Sequence, residues 1–279
     1  MKRISLFVAV AVLILSGYFW FDKTNEVSLP NSFSGIVTDV NLEAMAYDGP
    51  ALVTMQTAVG ETVIIAVPSM GLALCEAFEN IAFVDVVAVG DTVSVTGERD
   101  EDGRVVPCND ISHHLTVTSK MLDRVYGFEF EYRKGPDGYI TLEDNESTDS
   151  DFVTGIVLFN QKEYEDFRES TDPREGPPAI HVRVYRNPEK LSSFVWPERK
   201  PLESNIKRAL GEIEEATVGG ANASHYTVDG LYPIDTYVVA SGEHIYVLMG
   251  AYLEVDSAIH KDFQALVDSF NFLQTEGQN

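Results

Sequence analysis

The stretch that most constrains the fold is 126–272, and above all its end, 231–272. Two apolar runs, 232–240 and 243–250, meet at Ser241-Gly242 and read as a strand pair. A helix then starts near Ser257, with Ile259, Phe263, Leu266, Val267 and Phe270 on one stripe. Such a stripe is core, and here it should close one face of a sheet. Upstream, Tyr126, Phe128, Phe130 and Tyr132 alternate with Glu129 and Glu131, the turn at 136–138 follows, and 139–142 returns as the partner strand. Apolar strand 152–160, a short helix at 163–169, a surface loop at 171–178 and a half-buried strand through Ile180, Val182 and Val184 come next. After the break at 197–201, Ile206, Ala209, Leu210 and Ile213 fall on one helical face, and Gly219-Gly220 ends the expected helix. Residues 224–228 form a strand and Asp229-Gly230 a turn. The pattern is an α+β domain, an antiparallel sheet with packed helices.

Ahead of it, residues 33–118 read as five strands and one helix. The strands are 35–40, 51–55, 62–67, 92–97 and a last one holding Val105, Val106, Leu115 and Val117. The helix carries Leu74, Ala77, Phe78 and Ile81 on one face. A composition break near 118–123 divides the two units. The expected plan is a membrane anchor or signal segment at 1–21, a tether at 22–31, a barrel at 32–119, the α+β domain at 120–273 and a tail at 274–279.

Residues 4–21 are unbroken apolar sequence behind Lys2 and Arg3, close to the ~20 residues that cross a hydrocarbon core. They run into Tyr18, Phe19, Trp20 and Phe21, which suit the interface, rather than into a small-x-small cleavage site. A transmembrane helix is expected, with the chain from Asp22 outside the cytoplasmic (inner) membrane; secretion after cleavage is the alternative. Cys75 and Cys108 lack metal-type spacing and are read as a disulfide of an oxidising compartment, with two free buried thiols as the alternative.

The order of three strands, a helix and two strands, together with the phrase Gly90-Asp91-Thr92-Val93-Ser94-Val95-Thr96-Gly97, resembles the OB-fold barrel. That resemblance implies single-stranded nucleic acid as a partner, but charge opposes it. Residues 31–118 hold 13 carboxylates against Arg99 and Arg104 alone, and the whole chain is at −24. The second unit resembles the PsbP/Mog1-type fold. The points of likeness are Tyr126-Gly127-Phe128, Asp229-Gly230-Leu231-Tyr232 and the closing Phe263, Leu266, Ser269, Phe270 and Phe272. It implies a non-enzymatic, extracytoplasmic accessory or assembly factor, in some relatives linked to calcium.

Catalytic signatures are absent: there is no G-x-S-x-G elbow, H-E-x-x-H, Walker loop or G-x-G-x-x-G. The densest oxygen-ligand stretch is 143–151. Asp144, Glu146, Asp149 and Asp151 there are the candidate Ca²⁺ ligands, against the reading of a solvated acidic loop without EF-hand spacing. His113, His114, His181, His225, His244 and His260 show no local ligand spacing; His113 and His114 are expected at a surface or edge. Arg183, Arg186, Lys190, Arg199, Lys200, Lys207 and Arg208 crowd one segment, either as a docking patch or as ordinary surface charge. The expected function is a membrane-anchored binding or assembly module with a protein partner, no nucleic acid and no obligatory cofactor. The alternatives are a calcium-responsive module and a hydrolase with a dispersed site, for which His225, Asp229 and His244 are the group to watch.

Overall fold

In the computed structural model, residues 31–68, 75–81, 84–135 and 137–273 are described. The expected anchor, nearly all of the tether, Leu74 and the tail lie outside them. Among the described residues no helix is long and apolar enough to cross a membrane.

The first five strands are β1 (Asn31–Asn41), β2 (Ala51–Thr57), β3 (Thr62–Val67), β4 (Thr92–Arg99) and β5 (Val105–Val106). They pair in the order β1-β2-β3-β5-β4, and β1 pairs again with β4 to close a barrel. Strand β5 runs parallel to β3 through Ile65 and Val105 and antiparallel to β4. Period-two alternation explains the closure. Val53, Met55, Val63, Ile65, Val93 and Val95 point inward and are fully buried, while Thr54, Gln56, Thr92 and Ser94 point out. The expected helix at 74–81 is replaced by a three-residue 3₁₀ turn, Phe78–Asn80, in which Ala77 and Ile81 are buried and Phe78 is exposed. The Cys75–Cys108 disulfide fastens this segment beside the β5 end, and the Glu76 N–H donates to the Cys108 carbonyl.

The last expected barrel strand is two strands. After β5 comes β6 (His114–Asp123), and its first half pairs with β4 at 114–118. Its residues from Val117 to Asp123 pair with β7 (Phe128–Lys134). The boundary expected at 119–120 therefore falls inside a ten-residue strand. Polar sequence at 118–123 marks a strand with one exposed edge side, not a linker. Near the chain's end, β15 (Asn271–Phe272) pairs with β7, so one sheet of eight strands runs from the barrel into the second unit.

That unit is built on a second, seven-stranded antiparallel sheet. Its strands are β8 (Tyr139–Glu143), β9 (Phe152–Asn160), β10 (Ala179–Arg186), β11 (Ala209–Val218), β12 (Ala221–Val228), β13 (Ile234–Ser241) and β14 (His244–Ala251), in the order β11-β12-β13-β14-β10-β9-β8. The α-helices are α1 (Gln161–Glu169), α2 (Trp196–Arg199) and α3 (Ala258–Ser269). The mostly-β expectation of a closed five-stranded barrel beside an α+β unit holds.

The helix expected from Leu202 does not form. Ile206–Arg208 make a 3₁₀ turn and β11 follows. The i, i+3, i+4 spacing of Ile206, Ala209, Leu210 and Ile213 was a coincidence on a bulged strand. Gly219 and Gly220, at φ 57° and 76°, form the two-residue hairpin turn to β12 instead of a helix stop.

The seven-stranded sheet is covered on both faces. On one, α3 lays Phe263, Leu266 and Val267 against the sheet together with Phe128 and Phe130 of β7. Phe270 stacks on Phe128 and Phe130 at 5.6 and 6.3 Å. A Cβ at Gly250 would lie 2.3 Å from the Phe263 ring, so glycine there permits the close seat of α3. On the other face, segment 187–208 folds over Tyr185, Tyr226, Val238 and Val247, with Trp196 buried at its centre.

Candidate functional site

The acidic loop 143–151 folds onto the basic segment of its own domain. Asp144 is almost fully buried. Arg183 donates to it twice, Nε to Oδ2 at 2.7 Å and an Nη to Oδ1 at 3.1 Å, and His181 Nδ1 lies 2.7 Å from Oδ2. Burial opposes the charge, yet the hydrogen bonds from His181 and Arg183 hold this carboxyl far below the usual carboxylate range. Asp149 and Asp151 share the Lys200 ammonium at 2.8–2.9 Å. An Nη of Arg186 donates to the Ser150 carbonyl. Ser147 and Tyr185 both donate to Glu203 at 2.8 Å.

The four carboxylates named as calcium ligands are thus divided. Asp144 sits inside on Arg183, Asp149 and Asp151 sit on Lys200, and Glu146 is exposed. Among the described residues, no group of three or more His, Cys, Asp or Glu is placed to hold a metal ion. Arg183, Arg186 and Lys200, read in the sequence as part of a basic patch, are the loop's own partners.

A second cluster was not legible in the sequence. Asp235 on β13 is buried between His225 on β12 and His260 on α3. His260 Nε2 is 2.7 Å from Asp235 Oδ2, and its Nδ1 is 2.6 Å from the Val255 carbonyl. The Val255 carbonyl and the Asp235 carboxylate thus hold the His260 ring from both of its nitrogens and fix its orientation. Thr227 donates to Asp235 Oδ1 at 2.8 Å, and Gln264 Nε2 donates to Oδ2 at 3.2 Å. His225 stacks on Tyr237 at 4.4 Å, with Nε2 buried 3.7 Å from Asp235 Oδ1 and Nδ1 3.9 Å from Glu214. Burial raises the Asp235 pKa, but the neighbouring His225 ring and the hydrogen bonds from His260 and Thr227 outweigh it and bring it to about 2. Of the group watched for hydrolysis, only His225 is here. His244 packs against Tyr126 and Tyr246. The cluster ties β12 and β13 to the start of α3.

Where the barrel meets the α+β unit there is a groove of about 310 Å³. Asn80, Ser112, His114 and Thr116 line it from the barrel side, and Arg133 and Asp137 line it from the other. His114 is fixed at its backbone N–H and at Nδ1 by Thr96 Oγ1, both at 2.9 Å. Asn80 Nδ2 donates to the Ile111 carbonyl at 2.8 Å. Lys134 spans the joint, donating to the Val86 carbonyl at 3.2 Å and to buried Asp91 at 3.1 Å. His113, expected at a surface, is buried just before β6, and its Nδ1 has no protein partner.

No family model and no curated protein matches the chain. Among solved structures, the chain is similar to cyanobacterial PsbP (CyanoP) from Synechocystis sp. PCC 6803. The two share 13% identity over 56% of this chain and 92% of that one, with a TM-score of 0.39. A crystal structure from Bacteroides thetaiotaomicron VPI-5482 is similar at 12% identity over 57% and 49% of the two chains, with a TM-score of 0.34. Likeness at this level names no activity.

Proposed function

We propose that the chain is a non-enzymatic binding or assembly module, held by residues 4–21 on the outer side of a membrane, with the joint groove as its contact surface. The observation that carries this is the shared sheet. Strand β6 belongs to both units, so the groove walls are fixed relative to each other and present a preformed surface. The apolar run at 4–21, Lys2 and Arg3, and the Cys75–Cys108 disulfide support the location. The barrel's strand order, with β3 beside β5 and β1 closing on β4, supports an OB-type reading. The phrasing of 126–272 supports a PsbP-like second unit. A net charge of −24 favours a partner with a basic surface.

The test is a photo-crosslinking amino acid placed in the full chain at Thr116, in the groove, and separately at exposed Lys207. A discrete adduct at Thr116 and none at Lys207 is expected. Equal labelling at both, or none at Thr116, refutes the reading. A reporter fused after residue 30 that stays cytoplasmic removes the location.

A further inference from the structure

The Asp235 cluster reaches the surface through the loop that leads into α3. Residues 253–256 are exposed, Leu253 at 67% and Val255 at 71%. The backbone on either side is tied: the Tyr252 N–H donates to the Pro233 carbonyl, and the Ser257 N–H donates to the Glu254 carbonyl. Ser257 stands at the N-cap position of α3, but its hydroxyl makes no capping bond. Among the described residues, the one side chain that bonds to 253–256 is His260, in the first turn of α3, whose Nδ1 lies 2.6 Å from the Val255 carbonyl oxygen.

The rest of the ring is enclosed. Tyr252 stacks on it at 4.2 Å, and the His260 side chain is 14% exposed. Nε2 faces Asp235 Oδ2 at 2.7 Å. Gln264 Nε2 lies nearer to that oxygen, at 3.2 Å, than to the ring nitrogen, at 3.5 Å, and its Oε1 accepts from the Tyr237 hydroxyl, so the amide donates to the carboxylate.

The titratable groups around the ring are Asp235 and Tyr237 on β13, His225 on β12 with Glu214 of β11 beyond it, and Tyr252 after β14. Glu254 and Asp256 flank the held carbonyl along the chain. Asp235, at about 2, is an acceptor at neutral pH, and burial pushes the Tyr237 and Tyr252 hydroxyls up, so they keep their protons. Of these side-chain types, histidine alone changes charge near neutral pH.

A carbonyl and an ionised carboxylate only accept. A protonated imidazole donates from both nitrogens, and a neutral one from a single nitrogen. The carboxylate makes the stronger, charge-assisted bond, so it is the partner that a neutral ring keeps.

We propose that His260 is a pH-sensitive latch on the loop ahead of α3. With a hydrogen on each nitrogen, the ring ties the Val255 carbonyl to Asp235. When one hydrogen leaves, the ring keeps Asp235, turns a lone pair toward the carbonyl oxygen and releases residues 253–256. The latch is closed at the acid side of neutrality and opens as pH rises.

The test is NMR of the ¹⁵N-labelled full chain in detergent micelles, from about pH 5 to about pH 9. The ring ¹⁵N shifts of His260 report its protonation. Exchange of the Ser257 amide, divided by its intrinsic rate at each pH, reports the loop, with Val238 in the sheet as reference. Both ring nitrogens should carry hydrogens at the acid end and only one at the alkaline end. Protection at Ser257 should fall about tenfold in step with that change, the worth of one hydrogen bond from a charged donor, while Val238 holds. His260→Gln should remove the step, and His225→Gln should keep it. A ring that stays in one protonation state across the range overturns the proposal, as does Ser257 exchange that ignores the ring's titration; both are read in the unmodified chain. A step that survives in folded His260→Gln overturns it equally, and its loss in His225→Gln would then assign the switch to His225.

Discussion

Asp235→Asn should destabilise the folded chain by about 2 kcal/mol at neutral pH and by roughly half of that at pH 3. The folded carboxyl titrates at about 2 against an ordinary 3.8. At 1.36 kcal/mol per pH unit, that gap is about 2.4 kcal/mol. The side chain is 8% exposed, so solvent screening takes little from this figure. The sign follows from proton binding. Between about 2 and 3.8 the unfolded chain binds more protons at this site than the folded one, so stability rises with pH there. It is fully present above about pH 5 and is lost as pH falls toward 2. Because asparagine does not titrate, the wild-type-minus-variant difference tracks this one group. Urea unfolding of both full chains, followed by circular dichroism at pH 5, 4 and 3, gives that difference directly. It should shrink from about 2.4 to about 1.3 kcal/mol between pH 5 and pH 3. A difference that stays constant across this range refutes the claim that His225 and His260 hold the carboxylate ionised.

Asp144→Asn leaves the Arg183 guanidinium buried without its counter-charge and should cost about 3–5 kcal/mol, most of it recovered when Arg183→Met is added; melting curves of the single and double variants check this. Replacing Cys75 and Cys108 together by serine opens a loop of sequence separation 33 and should lower stability by about 3–4 kcal/mol, read from denaturant midpoints under oxidising conditions. Gly250→Ala drives a methyl into the Phe263 ring and should cost about 1–3 kcal/mol or more, with partial recovery on adding Phe263→Leu; an equal loss in both chains refutes the close-approach account. Lys134→Met should loosen the joint, raising amide exchange in 84–91 while β12 and β13 exchange as before.

Much of the barrel was legible because its strands alternate cleanly. Val93 and Val95 between Thr92, Ser94 and Thr96 admit no other period. Helix α3 was legible for the matching reason at 3.6. The stretch after Leu202 was not. A strand carrying a register shift between Leu210 and Glu214 loses its period of two, and three accidental spacings then imitate a helix. Strand β6 was misread as a boundary because local composition carries no record of which strands flank it. The fate of the acidic loop was equally hidden. Its carboxylates meet Arg183 and Lys200 only after β8, β9 and β10 have paired, and sequence spacing does not encode that contact. The Asp235 cluster joins residues 225, 235 and 260 through the pairing of Thr227 with Asp235 and the seat of α3. One signal was present: Asp235 interrupts an apolar strand, and a carboxylate in that position needs partners nearby.

The two ends of the eight-stranded sheet are made at very different times. As a chain leaves the ribosome, β6 offers an open edge until β7 arrives, and β7 then waits for residues 271–272. Until α3 and β15 are in place, Phe128 and Phe130 lack the Phe270 ring that stacks on them. A truncated or stalled chain therefore displays a bare strand edge and two aromatic rings, both of which chaperones and proteases recognise. Arrival of residues 271–272 is thereby written into the fold as a surface signal that vanishes only when β15 docks on β7.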